Sequence, residues 1–340
     1  MRVLVLGGTK FVGPAVIERL RERSHEVTLF HRGRTETDSL NGVRHIHGDR
    51  AQLHDFAADI LQLAPDVVLD MAPMFERDAL SAMRVLRGKT TRIVAISSID
   101  VYRAYGRLHQ SEPGPPEPLP LTEESPLREK LYPYRGHYGG RMDDYDKIPV
   151  ERAIMSAPDL PGTVLRLPAV HGERDYQHRL FMEVARIDAQ RPAMLVSASA
   201  SSWRWTRAYA GNVADAIALA VTDERAAGRI YNVAEPNTPT QVEWLRDVAR
   251  IAGWRGEIVV VPDALMPPDP SGTTNNYAQS MVVDSSRIRE ELGYTERVPS
   301  DEGIARAIAW ERTHPPEHAN PKWIDYAAED AALAALSESA

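Results

Sequence analysis

The sequence predicts an α/β protein with a doubly wound parallel sheet and a smaller mixed α/β lobe. The first observation is RVLVLGGTKFVG (2–13), a short apolar run that enters a glycine turn, with a helical stretch after Pro14. The second is a continuing alternation of strands and helices, which is typical of a parallel sheet covered by helices on both faces. The alternating segments are 25–30, 51–63, 65–72, 76–87 and 91–98.

The composition is that of an ordinary globular chain. Its 340 residues are 43% hydrophobic and 26% charged, enough for one large domain or two modest ones. The chain has no cysteine, which excludes disulfides, thiolate nucleophiles and cysteine-ligated zinc, and fits the cytoplasm where we expect it. No apolar run reaches the roughly 18 residues of a membrane span. The net charge of −8 argues against a nucleic-acid partner, because such proteins usually carry a basic surface.

The order of the segments also predicts the domain organisation. Residues 1–172 together with 207–235 are expected to form a nucleotide-binding domain, since a helix at 212–221 and a strand at 229–235 return to the sheet. Residues 173–206 and 236–312 are expected to form the smaller lobe. The remaining 313–340 form a tail with one amphipathic helix.

The glycine turn at 7–13 predicts a phosphate-binding loop. It lies between a predicted strand and a predicted helix, so unpaired backbone N–H groups and the helix dipole converge on one point. A glycine motif alone is weak evidence, but here the surrounding elements follow in the expected order.

Ten stretches occur in one characteristic order: GGTKFVG (7–13), GD (48–49), DMA (70–72), SSIDVY (97–102), TEESPL (122–127), KIPVE (147–151), LRLPAVHG (165–172), RAYAGNVADAI (207–217), GRIYNV (228–233) and SSRIREELGY (285–294). Together they resemble the extended short-chain dehydrogenases/reductases, or NAD(P)-dependent epimerase/dehydratases, over about residues 1–312. The resemblance implies a Rossmann domain and hydride transfer at a hydroxyl or carbonyl carbon of a sugar nucleotide or similar small metabolite. It also implies a homodimer.

The resemblance implies which residues meet the cofactor. Lys10 takes the place of the family's middle glycine, so its side chain must turn to solvent or meet a phosphate. His31 stands where NAD enzymes carry an acid for the ribose 2′-OH, and Arg32 and Arg34 follow it. Because guanidinium groups bind a 2′-phosphate that an acid would repel, we predict NADP, with NAD as the alternative. The predicted contacts are Gly7, Thr9, Lys10, Phe11, Val12, Gly13, His31, Arg32, Arg34, Asp49, Arg50, Met71, Ala72, Pro73, Lys147, Pro168 and Val170.

The family's catalytic residues are matched only in part. Ser98 matches the residue that hydrogen-bonds the substrate oxygen, and Lys147 matches the lysine that holds the nicotinamide ribose. The proton-carrying tyrosine belongs four residues before that lysine, where this chain has Asp143. On a continuous helix Asp143 would share the face of Lys147, whereas Tyr145 would lie about 200° away and is the least favoured candidate.

Several alternatives for the proton carrier stay open. Asp143 could act itself, Tyr134 or Tyr138 could reach in from the preceding loop, or this chemistry could be absent. On the substrate side the resemblance implies Arg207, which meets a diphosphate in sugar-nucleotide enzymes, together with Tyr102 and His171. No metal site is predicted. The alternative function is a non-catalytic NADP-binding sensor or an RNA-associated protein of the same fold.

Overall fold

The protein is described here by a computed structural model that covers residues 1–35, 40–268, 274–318 and 323–338. Seven parallel strands form the main sheet in the order β3-β2-β1-β4-β5-β6-β10. The described strands are β1 (Arg2–Leu6), β2 (Glu26–His31), β3 (Arg44–His47), β4 (Val67–Asp70), β5 (Arg92–Ser98), β6 (Gly162–Leu167), β7 (Ala169–His171), β8 (Ala193–Ser197), β9 (Arg207–Tyr209), β10 (Ile230–Asn232) and β11 (Glu257–Val261). The predicted doubly wound α/β class is confirmed.

Helices cover both faces of this sheet. Those within the described ranges are α1 (Val12–Glu22), α2 (Ala57–Leu63), α3 (Glu76–Leu86), α4 (Arg103–Leu108), α5 (Lys147–Ile154), α6 (Phe181–Asp188), α7 (Ala210–Thr222), α8 (Gln241–Ile251), α9 (Ser286–Leu292), α10 (Ser300–Thr313) and α11 (Tyr326–Glu338). Across the described parts of the chain, no helix combines the length and the apolar character that crossing a membrane would require.

The central strand shows why the sheet is buried on both sides. Val3 and Val5 pack into the core under α1 and α7, whereas Leu4 and Leu6 pack into the opposite core with α2, α3 and α5. Successive side chains of a strand point to opposite faces, so a strand covered on both faces is apolar throughout.

A further core, the peripheral core, lies outside the main sheet. It gathers apolar side chains from α6, β8, α8 and α10, and β8 pairs in parallel with β11 beside it. These elements fall within the predicted smaller lobe, and α11 falls within the predicted tail. The division of the chain into domains stays a prediction.

Candidate active site

The carboxyl ends of the parallel strands lie at one edge of the main sheet, where a ligand crevice is expected. The sheet order reverses between β1 and β4, because β2 and β3 lie to one side of β1 and β4 to β6 lie to the other. Open α/β sheets bind their ligands at such a point. The glycine turn follows β1 here, and Ser98 ends β5.

The glycine turn has the geometry that a pyrophosphate requires. Gly7 and Gly8 adopt φ angles of +84° and +85°, in the region that favours glycine. A Cβ at Gly13 would lie 2.2 Å from the carbonyl oxygen of Gly8, so only glycine lets α1 approach the turn. No side chain caps α1, and the side chain of Lys10 is exposed. The turn therefore fits the dinucleotide that the sequence predicts, with Lys10 turned to solvent.

The loop after β4 is held in place by an ion pair between Asp70 and Arg50. Asp70 is fully buried and accepts hydrogen bonds of 2.9 and 2.6 Å from Arg50, which also donates to the carbonyl oxygen of Ala72 at 2.7 Å. A Cβ at Gly7 would lie 3.9 Å from the Cβ atoms of Met71 and Ala72, so this loop borders the glycine turn. Arg50 thus supports the loop, a role that the sequence did not suggest. Asp49 caps the following 3-10 helix through the N–H of Ala51.

Residues 31–35, the described part of the segment that ends β2, carry cations and no acid. His31 is buried, whereas Arg32 and Arg34 are exposed and form no ion pair with any described residue. Their guanidinium groups are therefore available at the position where the resemblance places the adenosine ribose.

Three imidazoles share one face of β2 and β3. His31, His45 and His47 have ring nitrogens within 4.8 Å of one another. The N–H of Gly33 donates to Nδ1 of His31 at 3.1 Å, and Nε2 of His31 lies 2.6 Å from Nδ1 of His45. These three side chains could hold a metal ion, a kind of site that the sequence analysis did not predict.

Lys147 is buried between the loop that follows β4 and strand β5. Its Nζ donates to the carbonyl oxygens of Pro73 at 2.8 Å and Ile96 at 3.1 Å. Burial lowers the pKa of Lys147 to about 8, against the opposing influence of the Asp100 and Asp70 charges. The ammonium therefore links the cofactor loop to β5 and titrates near pH 8.

The helix that carries Lys147 starts later than the sequence analysis expected. It begins at Lys147, and Asp146 caps it by accepting the N–H of Ile148 at 2.9 Å. The sequence signal was Pro149, which has no N–H to donate to the carbonyl of Tyr145 and suits only a first turn. Asp143 lies outside the helix and accepts the N–H of Gly136 at 3.0 Å. The expected shared face of Asp143 and Lys147 was therefore wrong.

The late start of α5 brings Tyr145 into the site. Its hydroxyl donates to Oδ2 of Asp100 at 3.0 Å, and Nζ of Lys147 lies 5.7 Å from its ring centre. The hydroxyl of Tyr134 lies 3.4 Å from the same Oδ2 and 2.9 Å from the hydroxyl of Tyr105. Tyr134 thus reaches the cluster as one of the alternatives expected.

Tyr138, the other loop candidate, stays outside this cluster. It is 64% exposed, and its ring packs edge-on against Tyr134, with ring centres 5.9 Å apart. The hydroxyl of Tyr138 takes no part in the hydrogen bonds that join Tyr145, Tyr134 and Asp100 in the described structure.

Asp100 is the member of the cluster that the sequence analysis missed. Burial raises the pKa of Asp100, although the charges of Arg128 and Lys147 oppose this effect. Its Oδ1 has no hydrogen-bond partner among the described residues, and its N–H donates to Oγ of Ser98 at 3.2 Å. Burial also raises the pKa of Tyr145 and of Tyr134 well above 10, so both phenols keep their protons. The only signal in the sequence was an acid in SSIDVY, directly after a buried strand.

Two of the predicted substrate residues are enclosed by protein. Tyr102 is fully buried, and its hydroxyl donates to Asn232 at 2.6 Å and accepts from Arg166 at 3.0 Å. That hydroxyl has no access to a substrate, which corrects the expectation. His171 is buried against Tyr209 and Trp244, and burial lowers its pKa to about 3, so the ring is neutral.

The remaining predicted residues lie at the edges of the crevice. Arg207, at the start of β9, donates to the carbonyl oxygen of Trp205 at 3.0 Å and to Gln241 at 3.1 Å. Pro168 and Val170 are buried where β6 passes into β7. Thr9 hydrogen-bonds Thr35 at 2.6 Å, which joins the glycine turn to the segment after β2.

The fold and this site define a dinucleotide-binding α/β protein with a serine at the end of β5 and a buried lysine and tyrosine at the start of α5. The family model described as "NAD dependent epimerase/dehydratase family" matches residues 3–234. The chain belongs to this family of NAD-dependent enzymes, which confirms the resemblance.

Known proteins similar to this chain include a 2′-dehydrokanamycin reductase and two UDP-glucose 4-epimerases. The 2′-dehydrokanamycin reductase of Streptomyces kanamyceticus is 27% identical over 241 residues, 69% of this chain and 62% of that protein, so under two thirds of the relative is matched. The UDP-glucose 4-epimerase of Thermotoga maritima with UDP-glucose superposes with a TM-score of 0.67 and is 16% identical, and the match covers 92% of this chain and 99% of that protein. The UDP-glucose 4-epimerase of Thermus thermophilus with NAD superposes with a TM-score of 0.65 and is 22% identical, and the match covers 92% of this chain and 100% of that protein. These structural likenesses show the fold.

Proposed function

We propose that this protein is an NAD(P)-dependent reductase of a sugar-like ketone, in which Tyr145 and Asp100 replace the tyrosine missing from the family's catalytic helix. The observation that carries the proposal is the buried hydrogen bond from Tyr145 to Asp100 beside Lys147. A phenol, a carboxyl group and an ammonium in one buried cluster are the equipment of general acid catalysis.

The chain's own residues would handle the proton. When bound, the nicotinamide supplies the hydride to the carbonyl carbon. The hydroxyl of Ser98 donates a hydrogen bond to the carbonyl oxygen, and Tyr145 gives that oxygen its phenolic proton. Asp100 then returns a proton to Tyr145 along their 3.0 Å hydrogen bond. The product is the alcohol, with one hydride and one proton added.

The protonation of the cluster favours reduction over oxidation. A phenol whose pKa is raised keeps its proton at neutral pH, so Tyr145 enters the reaction as a donor. Burial raises the pKa of Asp100, which makes this carboxyl group easier to protonate than a surface aspartate, and its hydrogen bond to Tyr145 places it to exchange a proton with the phenol. The named activity of the Streptomyces kanamyceticus relative, reduction of a ketone on a saccharide, supports the same direction.

For the coenzyme we propose NADP(H). The end of β2 presents the exposed Arg32 and Arg34, and His31 stands in place of an acid. Two guanidinium groups suit a 2′-phosphate through charge-assisted hydrogen bonds. Assembly as a homodimer and a cytoplasmic location stay predictions.

The test follows isotope from coenzyme to product. The protein is first titrated with NADPH and with NADH by fluorescence, and then incubated with 4-deuterated NADPH and either 2′-dehydrokanamycin or UDP-4-ketoglucose. We expect tighter binding of NADPH and a product one mass unit heavier with at least one ketone. Tight NADPH binding without deuterium transfer to either ketone would contradict the proposal and leave a non-catalytic sensor.

A further inference from the structure

A cavity of about 940 Å³ lies beside the peripheral core, between α6, β8, α8 and the C-terminal segment. The rings of Trp203, Tyr277 and Trp323 form part of its wall. Trp203 packs against Trp205, which meets Tyr105 of the proton-carrying cluster, with ring centres 5.1 and 6.5 Å apart. Tyr105 in turn hydrogen-bonds Tyr134, so a chain of aromatic side chains joins the cavity wall to the proton-carrying cluster, and a ligand pocket of this size holds a small saccharide.

One wall of this cavity carries a carboxylate that the protein leaves without a partner. Oε2 of Glu183 is shielded from solvent and has no hydrogen-bond partner among the described residues. Burial raises the pKa of Glu183, with Arg207 and Arg186 as the neighbouring cations that oppose it. Buried acceptors are nearly always satisfied in folded proteins, so this oxygen indicates a donor that comes from a ligand.

Both neighbouring cations are engaged elsewhere. Arg186 donates to Oε1 of Glu329 at 2.9 and 2.6 Å, and Glu329 belongs to the C-terminal helix. Arg207 donates to Trp205 and Gln241, and its guanidinium lies 4.3 Å from the ring centre of Trp244. Neither arginine forms a hydrogen bond with Glu183.

The charges around the cavity favour a cation over a diphosphate. Its lining holds three carboxylates, from Glu183, Asp325 and Glu329, and two guanidinium groups, from Arg186 and Arg207. Since Glu329 and Arg186 already pair with each other, the described lining leaves the carboxyl groups of Glu183 and Asp325 for a cation and only Arg207 for a diphosphate, which favours an ammonium group. Two of the three carboxylates come from the C-terminal segment, beyond the residues 3–234 that match the family.

We propose that this cavity binds an amine-bearing saccharide without a diphosphate, and that Glu183 accepts hydrogen bonds from its ammonium group. The proposal rests on the proposed reductase function, because it names the class of that enzyme's substrate. It departs from the sugar nucleotide that the resemblance implies. Among the described lining residues, Arg207 is the one cation that is not hydrogen-bonded to a carboxylate, and a single guanidinium balances only part of the charge of a diphosphate.

The experiment compares three probes by calorimetry with the full-length protein and saturating NADP⁺ at pH 7. The probes are the disaccharide of two glucosamine units, its N,N′-diacetyl form, and UDP-glucose. Binding is measured without turnover, and NADP⁺ binding is measured separately. Failure of the cavity proposal is thereby distinguished from failure of the proposed reductase, which is tested by deuterium transfer.

We expect the diamine to bind about tenfold or more tightly than its acetylated form, and UDP-glucose to bind most weakly. Glu183→Gln should remove this preference and Asp325→Asn should reduce it. Glu290→Gln, on an exposed residue of α9, should leave it unchanged. Melting curves establish that each variant is folded. The proposal is overturned if UDP-glucose binds most tightly, if the diamine fails to bind at millimolar concentration, or if folded Glu183→Gln and Asp325→Asn both keep the preference.

Discussion

The hydroxyl of Tyr145 lies 3.0 Å from Oδ2 of Asp100, although 45 positions separate the two residues. Asp100 follows β5, and Tyr145 precedes α5. Both are buried, so their hydrogen bond is shielded from water and is expected to be stronger than a surface contact. This pair is the centre of the proposed chemistry.

Replacing Tyr145 by phenylalanine removes the proposed proton donor and keeps the ring. We expect kcat for ketone reduction to fall by about 100-fold or more, the usual contribution of a general acid, while NADPH affinity changes little. The measurement is steady-state NADPH consumption together with fluorescence titration of the coenzyme.

Two further tyrosine variants make this test specific. Tyr138→Phe changes an exposed ring and should keep full activity. Tyr134→Phe should cause a smaller loss than Tyr145→Phe, because its hydroxyl is 3.4 Å from Asp100. A larger loss in Tyr134→Phe would show that the proton comes from the loop tyrosine instead.

The buried ammonium of Lys147 makes stability depend on pH. Its pKa falls from 10.5 to about 8 on folding, so between these values the unfolded chain binds more protons than the folded one. The free energy of unfolding therefore rises with pH in that window, and the burial cost at lower pH is about 3 kcal/mol. We expect Lys147→Met to lose this rise between pH 8 and about 10.

Urea unfolding at closely spaced pH values measures this effect as the difference between the two proteins. Taking the difference cancels the other groups that titrate in alkali. Parallel curves for wild type and Lys147→Met would mean that Lys147 has an ordinary pKa and is not buried as described.

The glutamate of KIPVE has a structural role. Glu151 accepts hydrogen bonds of 3.0 and 2.7 Å from Arg166, and both side chains are buried. Glu151→Gln should lower the free energy of unfolding by about 3–5 kcal/mol, because it leaves an uncompensated buried guanidinium. The double change Glu151→Leu and Arg166→Met should cost less, and Glu290→Gln should cost almost nothing. Equal losses in the single and double variants would refute this interpretation.

Coenzyme preference should depend on the segment after β2. Replacing Arg32 and Arg34 by alanine should raise the Kd of NADPH by about tenfold or more, since each charge-assisted bond to a phosphate is lost. The Kd of NADH should change less than twofold. Arg152→Ala, on the exposed face of α5, serves as the charge-matched control. A parallel loss for both coenzymes would contradict the proposed contact with the 2′-phosphate.

The sequence by itself determined the sheet, the glycine turn and the family. These features depend on patterns that are visible along the chain. They are the uninterrupted apolar run of β1, the short sequence spacing between Gly8 and Gly13, and the fixed order of the motifs. Short-range patterns of this kind can be recognised without knowing the fold.

Tertiary structure alone decided which acid and which tyrosine meet Lys147. The start of α5 at Lys147 turned Tyr145 inward and left Asp143 in a turn, and the end of β5 supplied Asp100 from far along the chain. The same holds for the cavity, where α11 brings Glu329 to Arg186 across 143 positions. Hydrogen bonds and charges act through space, so the sequence order of these residues could not show that they meet.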